Sequence, residues 1–229
     1  MFYFDSYYLL LVMPAVLIAL WAQTRVSSTF GRYKTIRSRS GMTGAQVARR
    51  ILDDNGLYDV RVEQVAGELT DHYDPRARVV RLSTSVYGSP SIASLGVAAH
   101  ETGHAVQHAN SYAPLVFRNA IIPVTNLGSR LSMPMILLGL LFSWDPLITL
   151  GILCFGLMTV FQLITLPVEF NASSRAMNTL AGEGILDAEE SAGAKKVLSA
   201  AALTYVAALL VSAAQLLRLV LLFGNRRRD

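Results

Sequence analysis

The sequence predicts a mostly α-helical, multi-span membrane protein that carries a small α+β domain. Three observations support this. Apolar residues make up 52% of the 229-residue chain and charged residues only 16%, whereas soluble domains carry roughly a quarter charged residues. Several apolar runs approach or reach the roughly 20 residues that a bilayer core requires. Between residues 25 and 118 the chain turns more polar, and its periodicity shifts from helix to strand and back. The formal charge of +4 does not indicate a nucleic-acid partner. The basic residues cluster beside apolar segments, with no aromatic-rich basic face, which is the pattern of membrane flanks. The single cysteine, Cys154, lies in an apolar run; it excludes an intrachain disulfide and a cysteine-based zinc site, and reads as a small buried hydrophobe.

Residues 1–24 form a predicted transmembrane anchor. Tyr7 to Ala22 is nearly uninterrupted apolar sequence, with Tyr7, Tyr8 and Trp21 placed as interfacial anchors. A signal peptide fits less well, because acidic Asp5 replaces the basic start and the following sequence is a poor cleavage context. Residues 25–118 form the small domain. Thr43 caps a helix whose Val47, Ala48, Ile51 and Leu52 make one apolar stripe, and Gly56 ends it after Asn55. Val60 to Val65 and Arg78 to Leu82 alternate as two strands, joined by a polar turn region, Gly67 to Pro75. The stretch Arg78 to Ser83 is expected to be the edge strand along which an extended substrate pairs. Ser89-Pro90 or Ser91 opens a long helix, Ile92 to His108.

Residues 119–166 form a predicted membrane hairpin. Leu147 to Leu166 runs without a charge, and Asp145-Pro146 makes the turn before it. The preceding arm, Asn119 to Trp144, takes in Arg130, Pro123 and Pro134, so a kinked span or a re-entrant segment is expected there. Residues 167–200 follow as a helix and polar segment, and residues 201–229 as a last membrane helix with a basic tail. Within Leu203 to Phe223, Gln215 and Arg218 share a helical spacing that suits a bundle interior. Arg25, Arg32, Lys34, Arg37, Arg39, Arg118 and Arg175 would share the cytoplasmic side, with the N-terminus and Asp145 outside. The tail Arg226-Arg227-Arg228 conflicts with this balance, since four full spans place it outside.

The chemistry is concentrated in the long helix. In His100-Glu101-Thr102-Gly103-His104, residues four apart stack on one helical face, so His100 and His104 offer two imidazole nitrogens to one ion. Glu101 is placed to reach a water on that ion as catalytic base, the arrangement of a zinc hydrolase. The order helix, strands, motif helix is that of a minimal zincin-like metallopeptidase domain. A catalytic zinc needs a third protein ligand. His108 cannot supply it, because a straight helix puts it about 12 Å from His100. His72 is expected either to reach the site from the turn region, as ligand or as donor to the reaction oxyanion, or to stay in the turn hydrogen-bonded to Asp71 or Asp74; Tyr73 beside it is a second candidate oxyanion or substrate contact. Glu169, just past Pro167, returns from the membrane hairpin to the side that holds His100 and His104, and is the preferred third ligand. Glu183, Asp187, Glu189 and Glu190 remain alternatives, although they lie where a charged helix start is expected.

Four blocks carry a resemblance over almost the whole chain: Ser40 to Leu52, Asp71 to Ser83, Val97 to His108 and Leu166 to Ala176. With these the chain resembles the bacterial membrane-bound neutral zinc metallopeptidase family (YugP-like). The resemblance implies an integral plasma-membrane protein with His100, His104 and Glu169 on Zn²⁺ and Glu101 as base. The chain is similar, more distantly, to HtpX-type gluzincins. Those carry an aspartate on the third-ligand helix that supports a zinc-bound histidine, and here Ser173 stands at that position. The expected activity is hydrolysis of a protein or peptide substrate at the inner membrane surface. The competing expectation is a noncatalytic membrane scaffold or quality-control adaptor with a structural zinc site.

Overall fold

The computed structural model describes residues 5–224; the basic tail Arg226-Arg227-Arg228 lies outside the described residues. Four helices are long and apolar enough to cross a membrane: Tyr8–Tyr33, Ala113–Leu141, Asp145–Gly182 and Ala188–Phe223. The chain divides into two compact units.

One unit comprises Met1–Gln23, Val116–Pro167 and Leu203–Asp229. It draws on a π-helical opening (Tyr8–Val12) continued by α1 (Met13–Tyr33), and on α5 (Ala113–Leu141), α6 (Asp145–Gly182) and α7 (Ala188–Phe223). Leu10, Leu141, Phe142 and Trp144 are more than half exposed, as side chains facing lipid tails would be. The arms of the hairpin approach through small residues. A Cβ on Gly151 would stand 2.8 Å from the Ser132 carbonyl oxygen, the close packing expected where helices meet without a hydrophobic drive. Pro123 and Pro134 lie inside α5 and Pro167 inside α6. The helices nonetheless run on, so the arm expected to kink or re-enter is a continuous helix of 29 residues. Arg218 is buried and donates through Nε and Nη2 to Asp5 Oδ2, with its guanidinium 5.3 Å from the Tyr8 ring centre. Its inward direction matches the expectation from spacing.

The other unit comprises Thr24–Leu115 and Val168–Ala202. Thr43 and Gln46 make a reciprocal cap on α2 (Gly44–Asp54): the hydroxyl accepts from Gln46 N–H and the Gln46 side chain accepts from Thr43 N–H. Val47, Ala48, Ile51 and Leu52 are buried, and the helix ends at Asn55 with Gly56 at φ +70°, a conformation glycine adopts without strain. The sheet has three strands in the order β1-β3-β2: β1 (Arg61–Val65), β2 (His72–Asp74) and β3 (Val79–Ser83). β1 pairs parallel to β3, and β2 antiparallel to it.

Two expectations are corrected here. The Arg78 to Ser83 stretch is the central strand, not the edge. Val79 and the next residue, Val80, are both fully buried, so both faces of the strand are covered, as in a strand inside a sheet. The edge beside the motif helix is β2, which lies in the stretch expected to be only a turn. Three residues between Asp71 and Pro75 give no alternation to detect; β2 is defined by its pairing to β3.

A short helix, α3 (Thr84–Tyr87), leads to α4 (Ile92–Ala109), whose N-cap Ser91 accepts from Ser94 N–H. The core lies between α2, the sheet, α4 and the parts of α6 and α7 belonging to this unit, and includes Leu52, Leu82, Leu95, Leu180 and Ala194.

Candidate metal centre

Helix α4 is buried on all sides save one. Val97, His100, Glu101, His104 and His108 are half-buried while every other residue from Ile92 to Gln107 is buried, and their spacing of three and four places them on one face. The His100 and His104 rings meet edge to face with centroids 4.8 Å apart. The Val168–Gly182 portion of α6 supplies the opposing wall. Its buried residues Val168, Ala172, Ala176 and Leu180 recur every fourth position and form the packed stripe. Glu169 and Ser173, each one residue beyond a stripe position, run beside it. Gly103 permits the approach, since a Cβ there would stand only 2.9 Å from the Ala172 carbonyl oxygen.

These contacts bring three donors together. Glu169 Oε2 lies 3.3 Å from His100 Nε2 and 3.5 Å from His104 Nε2, and the three ligand atoms lie within 4.8 Å of one another. The fit to zinc can be tested from these separations. Two donors about 2.05 Å from a tetrahedral centre lie about 3.3 Å apart, close to both observed values. Two neutral nitrogens and one carboxylate oxygen are also a donor set that zinc takes in catalytic sites, with one corner left over. The outer ring nitrogens are engaged elsewhere: Ser173 Oγ lies 3.1 Å from His100 Nδ1 and Gln107 Oε1 3.0 Å from His104 Nδ1. Both imidazoles are thereby oriented with Nε2 towards Glu169. Burial opposes charge on His104, but the hydrogen bond to Glu169 and the charges of Glu101 and Glu169 outweigh it and raise its pKa. The same negative field attracts a metal cation.

The structure brings His100, His104 and Glu169 together, with Glu101 on the same open face of α4. It does not bring His72 there. The Tyr73 hydroxyl reaches His108 Nδ1 on α4 at 2.9 Å, so strand alternation turns His72 to the opposite side of the sheet. There His72 is exposed and its Nδ1 lies 2.8 Å from the Thr70 carbonyl oxygen. His72 thus lies apart from the three clustered donors that it was expected to join. Burial holds the Tyr73 pKa above its usual value, so its hydroxyl stays protonated beside His108, at the far end of the open face. The alternative acids have other work. Glu183 lies 3.3 Å from Arg50, Asp187 and Glu190 cap the start of α7 reciprocally, and Glu189 is an exposed partner of Arg39. Gln107 lies outside the sequence motif, although its spacing of three from His104 places it on the adjoining helical turn. Ser173, legible in the sequence only as a missing aspartate, proves to be the partner of His100.

The family model described as "Putative neutral zinc metallopeptidase" matches residues 8–224. The chain is 54% identical over 222 residues to the "Putative membrane protease YugP" of Bacillus subtilis (strain 168), covering 97% of this chain and 99% of that protein. No solved structure matches the chain. A match this complete, on a chain whose motif helix and returning acid converge on one point, shows that the protein belongs to this neutral zinc metallopeptidase family.

Proposed function

We propose that the protein is a membrane-anchored zinc metalloendopeptidase of gluzincin type that hydrolyses peptide bonds of a protein or peptide substrate at the cytoplasmic face of the bacterial plasma membrane. One observation carries the reading: Glu169 Oε2 sits within 3.5 Å of Nε2 of both His100 and His104, beside the half-buried Glu101. His100, His104 and Glu169 would hold Zn²⁺. When bound there, zinc supplies Lewis acidity, polarising an amide carbonyl and making water a stronger acid. Glu101 accepts the proton of the attacking water on its carboxylate and delivers it to the leaving amine nitrogen. Ser173 and Gln107 hold the imidazoles in orientation through Nδ1. The covered walls around the open stripe of α4 limit solvent and strengthen these charge interactions.

The cytoplasmic assignment rests on charge. No Lys or Arg occurs between Arg130 and Arg175, a stretch that includes the Asp145 turn, while Arg25, Arg32, Lys34, Arg37 and Arg39 crowd the start of the other unit. The test is zinc content and proteolysis of a quenched peptide library by the detergent-solubilised protein. Glu101→Gln should keep its zinc and lose roughly 10²- to 10⁴-fold in rate, and Glu169→Gln should lose the zinc. Full activity in Glu101→Gln removes the base. Zinc firmly held by a wild-type protein that cleaves nothing would favour the scaffold.

A further inference from the structure

Gln107 is fully buried, and both ends of its amide are engaged. Its Nε2 donates to the Val168 carbonyl at 2.8 Å and to Asn171 Oδ1 at 3.0 Å, and its Oε1 faces His104 Nδ1 at 3.0 Å. An amide nitrogen only donates and an amide oxygen only accepts. Two acceptors on the nitrogen side therefore fix which way the amide faces, and an oxygen meets the imidazole. That oxygen carries no hydrogen, so Nδ1 of His104 must, and Nε2 of the neutral ring keeps its lone pair. The polarity is reinforced one link further back. Arg175 Nε donates to the same Asn171 Oδ1 at 2.8 Å, and a guanidinium is always a donor. It holds the Asn171 oxygen, rather than its amino group, at the junction with Gln107.

Each link in the series Arg175, Asn171, Gln107, His104 thus admits one direction only. His100 differs. Its partner Ser173 Oγ is a hydroxyl that donates or accepts, and it imposes no tautomer. We infer that Arg175, Asn171 and Gln107 are positioning residues that preset His104 with its hydrogen on Nδ1, so that one ligand of the centre is ready for the metal while His100 adapts to it. This rests on the zinc reading above and adds residues that the motif does not contain.

The experiment measures zinc affinity of the full-length protein in detergent, by competition with a chromophoric chelator. It also records the ¹⁵N spectrum of the histidine side chains in alkaline, chelator-treated protein, where the rings are neutral. With four histidines in the chain, His104 is assignable by substitution. Gln107→Met keeps the volume and removes the acceptor; it should weaken zinc roughly 10- to 100-fold and release His104 to a mixture of tautomers. Asn171→Leu should weaken zinc by less, because the Val168 carbonyl still holds the amide. Asn171→Asp should retain wild-type affinity, because a carboxylate still accepts from both Gln107 and Arg175. Wild-type affinity and a Nδ1-protonated His104 in Gln107→Met would overturn the inference. If Gln107→Met does not fold, equal zinc affinities of the Asn171→Leu and Asn171→Asp proteins overturn it. A wild-type chain that binds no zinc would sink the metal reading instead, and the metal-free spectrum would still report where the His104 hydrogen sits.

Discussion

Gly103→Ala is the smallest change that probes the centre through its scaffold. The added Cβ would stand 2.9 Å from the Ala172 carbonyl oxygen, and ordinary contact begins at 3.4 Å, so α4 and α6 must part by about 0.5 Å. The atom it meets belongs to a backbone and cannot swing aside. Ala172 lies between Glu169 and Ser173 on the same helix, so the shift carries the third donor away from both imidazoles. Metal sites tolerate about 0.2 Å in ligand distance, and the displacement exceeds that. In the metal-free protein parting the packed helices already costs stability, offset only in part by the up to about 1 kcal/mol of helix propensity that alanine returns. Binding zinc draws the helices back, and overpacking of this kind costs about 1–3 kcal/mol, equivalent to roughly 5- to 150-fold in affinity. Chelator competition should therefore show weaker zinc binding, and the Tm of the chelated protein should fall slightly. A Gly103→Ala protein with wild-type zinc affinity would refute the claim that this contact sets the spacing of the donors.

Ser173→Asp replaces the hydroxyl at His100 Nδ1 with a carboxylate, a partner that raises ligand basicity; zinc affinity by the same competition should rise by about 10-fold. No rise would mean that Ser173 does not orient His100. Burial holds the Asp71 carboxyl above its usual pKa despite the N–H and hydroxyl of Ser83 donating to it. The folded state therefore keeps that proton to higher pH than the unfolded chain. The contribution is present in full below the unfolded value and is lost as pH rises through the folded one; Tm measured against pH should fall over that interval, and the fall should flatten in Asp71→Asn. Removing Asp5 leaves Arg218 buried without its carboxylate, at a cost of about 3–5 kcal/mol. Asp5→Asn should thus lower Tm by far more than the paired change Asp5→Asn with Arg218→Gln. Asp145→Cys should react with a membrane-impermeant maleimide from outside intact cells; protection from that label would reverse the orientation.

The long apolar runs were legible because membrane helices must satisfy their backbone internally, and uninterrupted hydrophobicity is their direct signature. Thr43 and Ser91 were legible for a local reason: caps sit next to what they cap. Pro123 and Pro134 left the choice between a kinked span and a re-entrant segment open, and the arm is one helix, since a proline removes one donor but need not end a helix held by its neighbours. The strand order was not legible, because β2 is three residues long and exists only through its pairing with β3. Of the centre, the two histidines followed from spacing alone and Glu169 from tracing the chain back out of the hairpin. Gln107, Asn171 and Arg175 did not, as their roles arise between helices far apart in sequence. A buried glutamine in an apolar helix gives no hint of what it holds until α6 is laid against it.

His100 and His104 are made before Glu169, which follows only after the whole of α5 and the first two-thirds of α6. At roughly 5–20 residues per second, the emerging chain carries its paired imidazoles for several seconds with no acid opposite them. The three-donor cluster is thus completed only after both arms of the hairpin have been made. A ribosome-bound fragment ending before Glu169 consequently holds two of the three clustered donors and lacks the one that closes the set.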